Sequence, residues 1–281
     1  MKILSRENKG DFIKHFASNP YYEAGCSHQI DIIEGCPYSC SYCFLRHYLN
    51  TPDIVIYDNP EKLDRELNGI NVPYFNLSVM TDGGFMAGQK DVMRRLFRVL
   101  ENYPGKIFEI RFKHSGVTGL LELEPPKNIN FTATMTTDRI AEALEPSASF
   151  PDERLAALEI LRDNGYMISV VADPVIVYGG WEADYRELFS RIRARIPSLY
   201  RLGMGLLRLE KHIYAELLSR CALKGFTLEG EFIEGDDGKM RYFFTDRILY
   251  YKSLLAAAAG IGQKELVLYM ESEDVKREVL P

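Results

Sequence analysis

No stretch of this 281-residue chain approaches the ~20 consecutive apolar residues that a membrane-spanning helix needs. Its first residues, MKILSRENKGDFIKHF, carry too much charge for a secretory leader, so a cytoplasmic location with no membrane partner is the expectation. Cysteine is scarce. The chain has five, three of them crowded into one short segment, which excludes a disulfide framework and suits a reducing compartment. Positive charge is not in excess either: 34 Lys and Arg against 40 Asp and Glu give a net charge of -6 and no global attraction for nucleic acid. Binding of DNA or RNA would need a local basic patch, for which Arg94, Arg95 and Arg98, or Arg191, Arg193, Arg195 and Arg201, are candidates. Each group reads more readily as a solvated helix face balanced by neighbouring acids. Internal repeats, low-complexity tracts and linkers are absent.

The hydrophobic content of 46% supports a sizeable core, either one α/β barrel or two smaller domains. Strand-like and helix-like segments alternate along the chain. Strands are expected at 28–33, 73–80, 106–113, 129–135, 166–172 and 202–208, and helices at 60–68, 88–102, 152–164, 182–195 and 211–223. Pro151-Asp152-Glu153 starts and Asn164-Gly165 stops the third of these helices. Such an order builds parallel α/β units, whose ligands gather at the carboxyl ends of the strands. Segment 224–281, with a helix around 245–259, reads as a C-terminal extension packing on a barrel formed by 26–223, and 1–25 as an N-terminal extension.

Within Glu34 to Phe44, Cys36, Cys40 and Cys43 stand in C-x3-C-x2-C spacing. Gly35 and Pro37 oppose continuous helix there, so the cysteines belong to a loop after the first strand. Thiolates hold iron-sulfur clusters, and a four-iron cube normally takes four of them. Three leave one iron open, as catalysis requires and a structural metal does not. Two other readings compete. Cys36, Cys40, Cys43 and His47 could close a structural zinc site, and Cys40 with Cys43 could form a redox dithiol. Cys26 and Cys221 read as buried thiols acting as small hydrophobes.

The cysteine loop, with Tyr42 before its last cysteine, resembles that of the radical S-adenosylmethionine (SAM) enzymes. The resemblance implies a partial (β/α)6 barrel, a 4Fe-4S cluster held by Cys36, Cys40 and Cys43, and SAM chelating the open iron. Reductive cleavage of SAM then gives a 5'-deoxyadenosyl radical, with an electron donor such as a flavodoxin or ferredoxin as partner. Thr81 and Asp82, in the turn Val79 to Gly84 after the second strand, correspond to ligands of the methionyl amine. Lys113, ending the third strand, offers a cation for the carboxylate. Thr134 and Ala172, at the ends of the fourth and fifth strands, are further cofactor-lining candidates, and Tyr42 belongs with them.

Over most of the chain a closer resemblance is to the spore photoproduct lyase family, radical SAM enzymes that repair a thymine dimer in DNA. It rests on Cys36 to Leu45, Arg111-Phe112-Lys113, Leu144-Glu145-Pro146-Ser147, Pro151 to Arg154, Asn164-Gly165-Tyr166, Ala172 to Val175 and Gly179-Gly180-Trp181. Lys239 to Tyr242 and Tyr250-Tyr251-Lys252 look like its basic, tyrosine-rich C-terminal region. Two departures stand out. The family's hydrogen-donating cysteine, three residues before the Asp of the amine-binding turn, corresponds to Val79, and the tyrosine following its last cluster cysteine corresponds to Phe44. Radical generation is therefore expected, with Tyr42 and Tyr242 as candidate catalytic residues if dimer repair proceeds. DNA is then a partner; modification of another nucleotide, a peptide or a metabolite is the alternative.

Overall fold

The computed structural model describes residues 1–15, 22, 26–49 and 51–280. The 1–25 extension therefore lies partly outside the described residues, and within it Ile3–Arg6 pairs in parallel with Ile54–Tyr57. Among the described residues the main sheet has eight strands. From one edge they run Gly262–Leu268, Ser198–Leu206, Met167–Val175, Ile129–Thr134, Ile107–Phe112, Tyr74–Asn76, His28–Ile30 and Ile13–His15. All neighbours are parallel except the last pair. The six expected strands are all in this row. A seventh parallel strand, Gly262–Leu268, comes from the C-terminal segment, so residues 224–281 extend the sheet as well as packing against it.

Alternation along the strands separates two environments. Phe108, Ile110, Phe112, Ile129, Phe131 and Ala133 are buried on one face, the apolar contact to the helices. Opposite them lies a polar ladder. Asn76 Nδ2 donates to Glu109 Oε2 (2.9 Å), Thr132 Oγ1 to Glu109 Oε1 (2.8 Å), and Ser169 Oγ to Asn130 Oδ1 (2.9 Å). Parallel sheets covered on both sides are usually apolar on both. Here the inner face is buried but polar, and it leads to the site.

The helices lie close to where the periodicity puts them, at Leu63–Asn68, Lys90–Glu101, Pro151–Asp163, Trp181–Arg195, Lys211–Leu223 and Phe244–Ala257. The first strand is shorter than expected. Asp31 accepts from Gln29 Nε2 (2.9 Å), pairs with Lys14 (2.9 Å) and donates its own N–H to Phe12 O (3.0 Å). Beyond Asp31, Ile33–Glu34 joins Ile54–Tyr57 instead. Of the arginine groups, Arg94 and Arg98 are exposed, whereas Arg95 bonds Asp58 O and Glu61, Arg191 pairs with Asp138 and Asp152, Arg193 bonds Ala259 O and Arg195 pairs with Glu159. Arg201 pairs with Glu265 and lies 3.9 Å from the Tyr74 ring centre.

Candidate active site

The cysteine loop is tied at two points to the segments it crosses. Gly35 adopts φ +108°, and a Cβ there would stand 3.0 Å from Asp53 O, so glycine is required. Its N–H donates to Met80 O (2.9 Å), beside Thr81, and the Ser41 N–H donates to Leu144 O (2.8 Å), beside Glu145. Tyr38 stacks on His114 with centroids 5.2 Å apart. These ties hold the loop over the carboxyl ends of the strands.

Beneath it is a cavity of about 370 Å³, lined by Cys36, Cys40, Cys43, Thr81, Asp82, Lys113 and Thr134 among others. Burial pushes all three thiols up, Cys40 to about 12. They therefore keep their protons unless a cationic centre displaces them, which is how metal loading is driven. Among the described residues, no three His, Cys, Asp or Glu side chains gather around one metal-ion position. His47 faces Glu216 across 2.8 Å and lies edge-on to His212. A Cys3His zinc would require His47 to leave Glu216, whereas three thiols lining one cavity are a donor set that fits a cluster with one open iron.

The rest of the wall suits an α-amino acid. Thr81 Oγ1 is buried without a hydrogen-bond partner, and an orphaned buried hydroxyl asks for a ligand. Asp82 is buried, its Oδ1 accepting from Gly84 N–H (2.8 Å) and Oδ2 from Lys113 N–H (2.6 Å). Burial outweighs those bonds and raises its pKa to about 6. Lys113 Nζ donates to Tyr42 Oη (2.7 Å) and Glu145 Oε1 (2.6 Å). Tyr42 also donates to Glu145, and Arg154 bonds the other carboxylate oxygen. Burial disfavours the Glu145 charge, but Lys113 and Arg154 prevail and hold its pKa down at about 2. A buried carboxylate and an ammonium thus sit side by side in the cavity wall.

Two candidate residues fall outside this cavity. Ala172 is fully buried, on the strand face shared with Ile168 and Val170; alternation turns the next residue, Asp173, inward. Tyr242 is fully buried in the core, its hydroxyl accepting from Val177 N–H (2.9 Å). Neighbouring Arg241, 3% exposed, is committed to Asp237 and Met270 O, so this pair presents no ring or cation to a nucleic acid.

Sequence reasoning missed several lining residues. Asp173 holds Arg208 in a two-pronged pair (2.8 and 3.0 Å), for which Gly205 makes room: a Cβ there would be 2.7 Å from Asp173 Oδ1. Tyr269 sits over Arg111 (4.5 Å) where Gly203 leaves space. Lys239, Tyr269 and Met270 bring the C-terminal segment into the wall, and Cys26 lines the same cavity. A cue existed in the Gly203-Met204-Gly205 alternation, since glycines on one strand face invite close approach.

The open parallel sheet and its three-cysteine loop define the radical SAM class. The radical SAM methyltransferase TsrM of Kitasatospora setae shares the fold at a TM-score of 0.53, 12% identity, over 82% of this chain and 51% of that one. More specifically, the chain belongs to the spore photoproduct lyase family: residues 18–228 match the family model described as Spore photoproduct lyase. It is 25% identical to the spore photoproduct lyase of Bacillus subtilis over 245 residues, 82% of this chain and 67% of that protein. To that of Clostridium acetobutylicum it is 19% identical over 175 residues, 59% and 51% of the two chains. The match thus spans about half to two thirds of these relatives' lengths. A solved spore photoproduct lyase complexed with dinucleoside spore photoproduct superposes with a TM-score of 0.79 at 18% identity, covering 94% of this chain and 81% of that one. Another solved form carries bound AdoMet and the same dinucleoside.

Proposed function

We propose that this protein is a radical SAM enzyme acting on a cross-linked or otherwise modified pyrimidine in nucleic acid. Cys36, Cys40 and Cys43 would hold a 4Fe-4S cluster, with Thr81 and Asp82 taking the amine of SAM and Lys113 its carboxylate. When bound and reduced, the cluster supplies the electron that cleaves SAM to the 5'-deoxyadenosyl radical. The observation that carries this reading is the unpartnered Thr81 hydroxyl, placed beside Asp82 and Lys113 in the cavity that the three thiols line. The solved relatives' dinucleoside and AdoMet support the choice of ligands. DNA as partner and an acidic electron carrier such as flavodoxin or ferredoxin belong to the same proposal.

Whether the abstracted hydrogen is returned divides repair from modification. Val79 stands where the family resemblance expects a donor thiol, which favours modification. Cys26 favours repair. It lines the cavity, its Sγ donates to His28 O (3.1 Å), and burial raises its pKa, preserving the S–H form that can give up a hydrogen atom.

The test is mass-spectrometric detection of 5'-deoxyadenosine after anaerobic reconstitution with iron and sulfide, then dithionite and SAM, with and without a thymine-dimer oligonucleotide. Formation by the native protein and loss of both cluster and product in Cys40→Ala support the proposal. A Cys40→Ala variant that keeps both would overturn it.

A further inference from the structure

We infer that Glu145 is a positioning residue for cofactor recognition, aiming the Lys113 ammonium at the ligand's carboxylate; this rests on the reading of the cavity as a SAM site. Glu145 is 2% exposed and touches no cavity space itself. Each of its oxygens is used. One accepts from Lys113 and Tyr42, the other from Arg154. An ammonium has three donors. Two on Lys113 are fixed by Glu145 Oε1 and Tyr42 Oη, which leaves the third for the cavity that Lys113 lines.

Charge points the same way. Arg154 is fully buried, and its other donors go to Ser149 O and Thr134 O, both at 2.7 Å. It offsets the Glu145 charge from the side away from the cavity. Lys113 and Arg154 thus share the Glu145 charge, one cation on each carboxylate oxygen. A lysine free to swing would have served mere solvation. One held by two acceptors in a buried network is pre-oriented for an anion, reducing the entropy lost on binding.

The Ser41 N–H bond to Leu144 O adds a second route of action. The residue preceding Glu145 anchors the cysteine loop, so the backbone that places Glu145 also places the thiols. Glu145 thus ties recognition of the carboxylate to the position of the metal-binding loop.

The experiment compares equilibrium binding of SAM and of decarboxylated SAM to the reconstituted protein, together with iron content and melting temperature. The native protein is expected to prefer SAM by ten- to hundredfold. Glu145→Gln should retain iron yet lose most of that preference, weakening SAM alone. Glu145→Asp should recover part of it. Lys113→Met should lose at least as much of the preference as Glu145→Gln, and adding Glu145→Gln to Lys113→Met should change the ratio no further. If Glu145→Gln does not fold, Tyr42→Phe removes the other anchor of the ammonium and should narrow the ratio. A preference unchanged in a folded Glu145→Gln protein, or effects of the two substitutions that multiply, would overturn the inference. Failure of the native protein to bind either ligand would overturn the SAM reading itself, and this inference with it.

Discussion

The backbone N–H of Lys113 donates to Asp82 Oδ2 across 2.6 Å, locking the end of one strand to the turn that follows its neighbour. Asp82 Oδ1 meanwhile caps the short helix Gly83–Met86 through Gly84 N–H. One carboxylate therefore shapes the turn, fixes the base of the lysine and leaves lone pairs for an amine. A buried acid bound only by neutral N–H groups remains costly to ionise.

That cost gives a pH dependence. Because burial holds the Asp82 pKa at about 6, above the ordinary 3.8, the group is protonated and a poor partner for ammonium below that pH. SAM affinity should rise roughly tenfold per pH unit up to about 6 and fall again above about 8, where an α-amino group loses its proton. Asp82→Asn should flatten the acid limb and weaken binding at neutral pH. Calorimetric titration across pH 5–9 measures both; an acid limb unaltered in Asp82→Asn would contradict the assignment.

His47→Ala separates cluster from zinc. With His47 engaged by Glu216, its loss should leave iron content and the brown absorption after reconstitution unchanged, at a cost of under ~1 kcal/mol for the exposed pair. Loss of metal along with the imidazole would restore the Cys3His reading.

Cys26→Ala should leave SAM cleavage intact while shifting the products, with less restored thymine and more trapped substrate adduct. Cys26→Ser should behave alike, since an O–H bond is a far poorer hydrogen-atom donor than S–H. Product ratios unchanged from the native protein would remove Cys26 from the reaction.

Tyr242→Phe should cost stability rather than chemistry. It strips the acceptor from the buried Val177 N–H, worth roughly 1–3 kcal/mol. A lower denaturation midpoint with undiminished SAM cleavage is the expected pair of results. Loss of cleavage in a protein that stays folded would return Tyr242 to the catalytic list.

The parallel α/β order and the clustering of Cys36, Cys40 and Cys43 were legible because both are local: alternation marks strands, and C-x3-C-x2-C needs no partner elsewhere. That Thr81, Asp82 and Lys113 would line the cavity was also legible, since they follow the ends of strands in a fold whose ligands collect there. What the chain order concealed was direction and distance. A one-residue shift in alternation decides that Asp173 faces the cavity and Ala172 the helices, and an expected strand end cannot set that parity. Tyr242 looks like a reactive ring beside a cation until the fold buries it against Val177. The Gly262–Leu268 strand hid in a segment whose burial depends on pairing with Ser198–Leu206. Glu145 lies 32 residues from Lys113 and 103 from Tyr42, and such an ionic network exists only once separate strands bring its members together. Sequence alone determined the class of chemistry; tertiary packing decided which side chains share the cavity, because burial and approach are properties of neighbours brought from far along the chain.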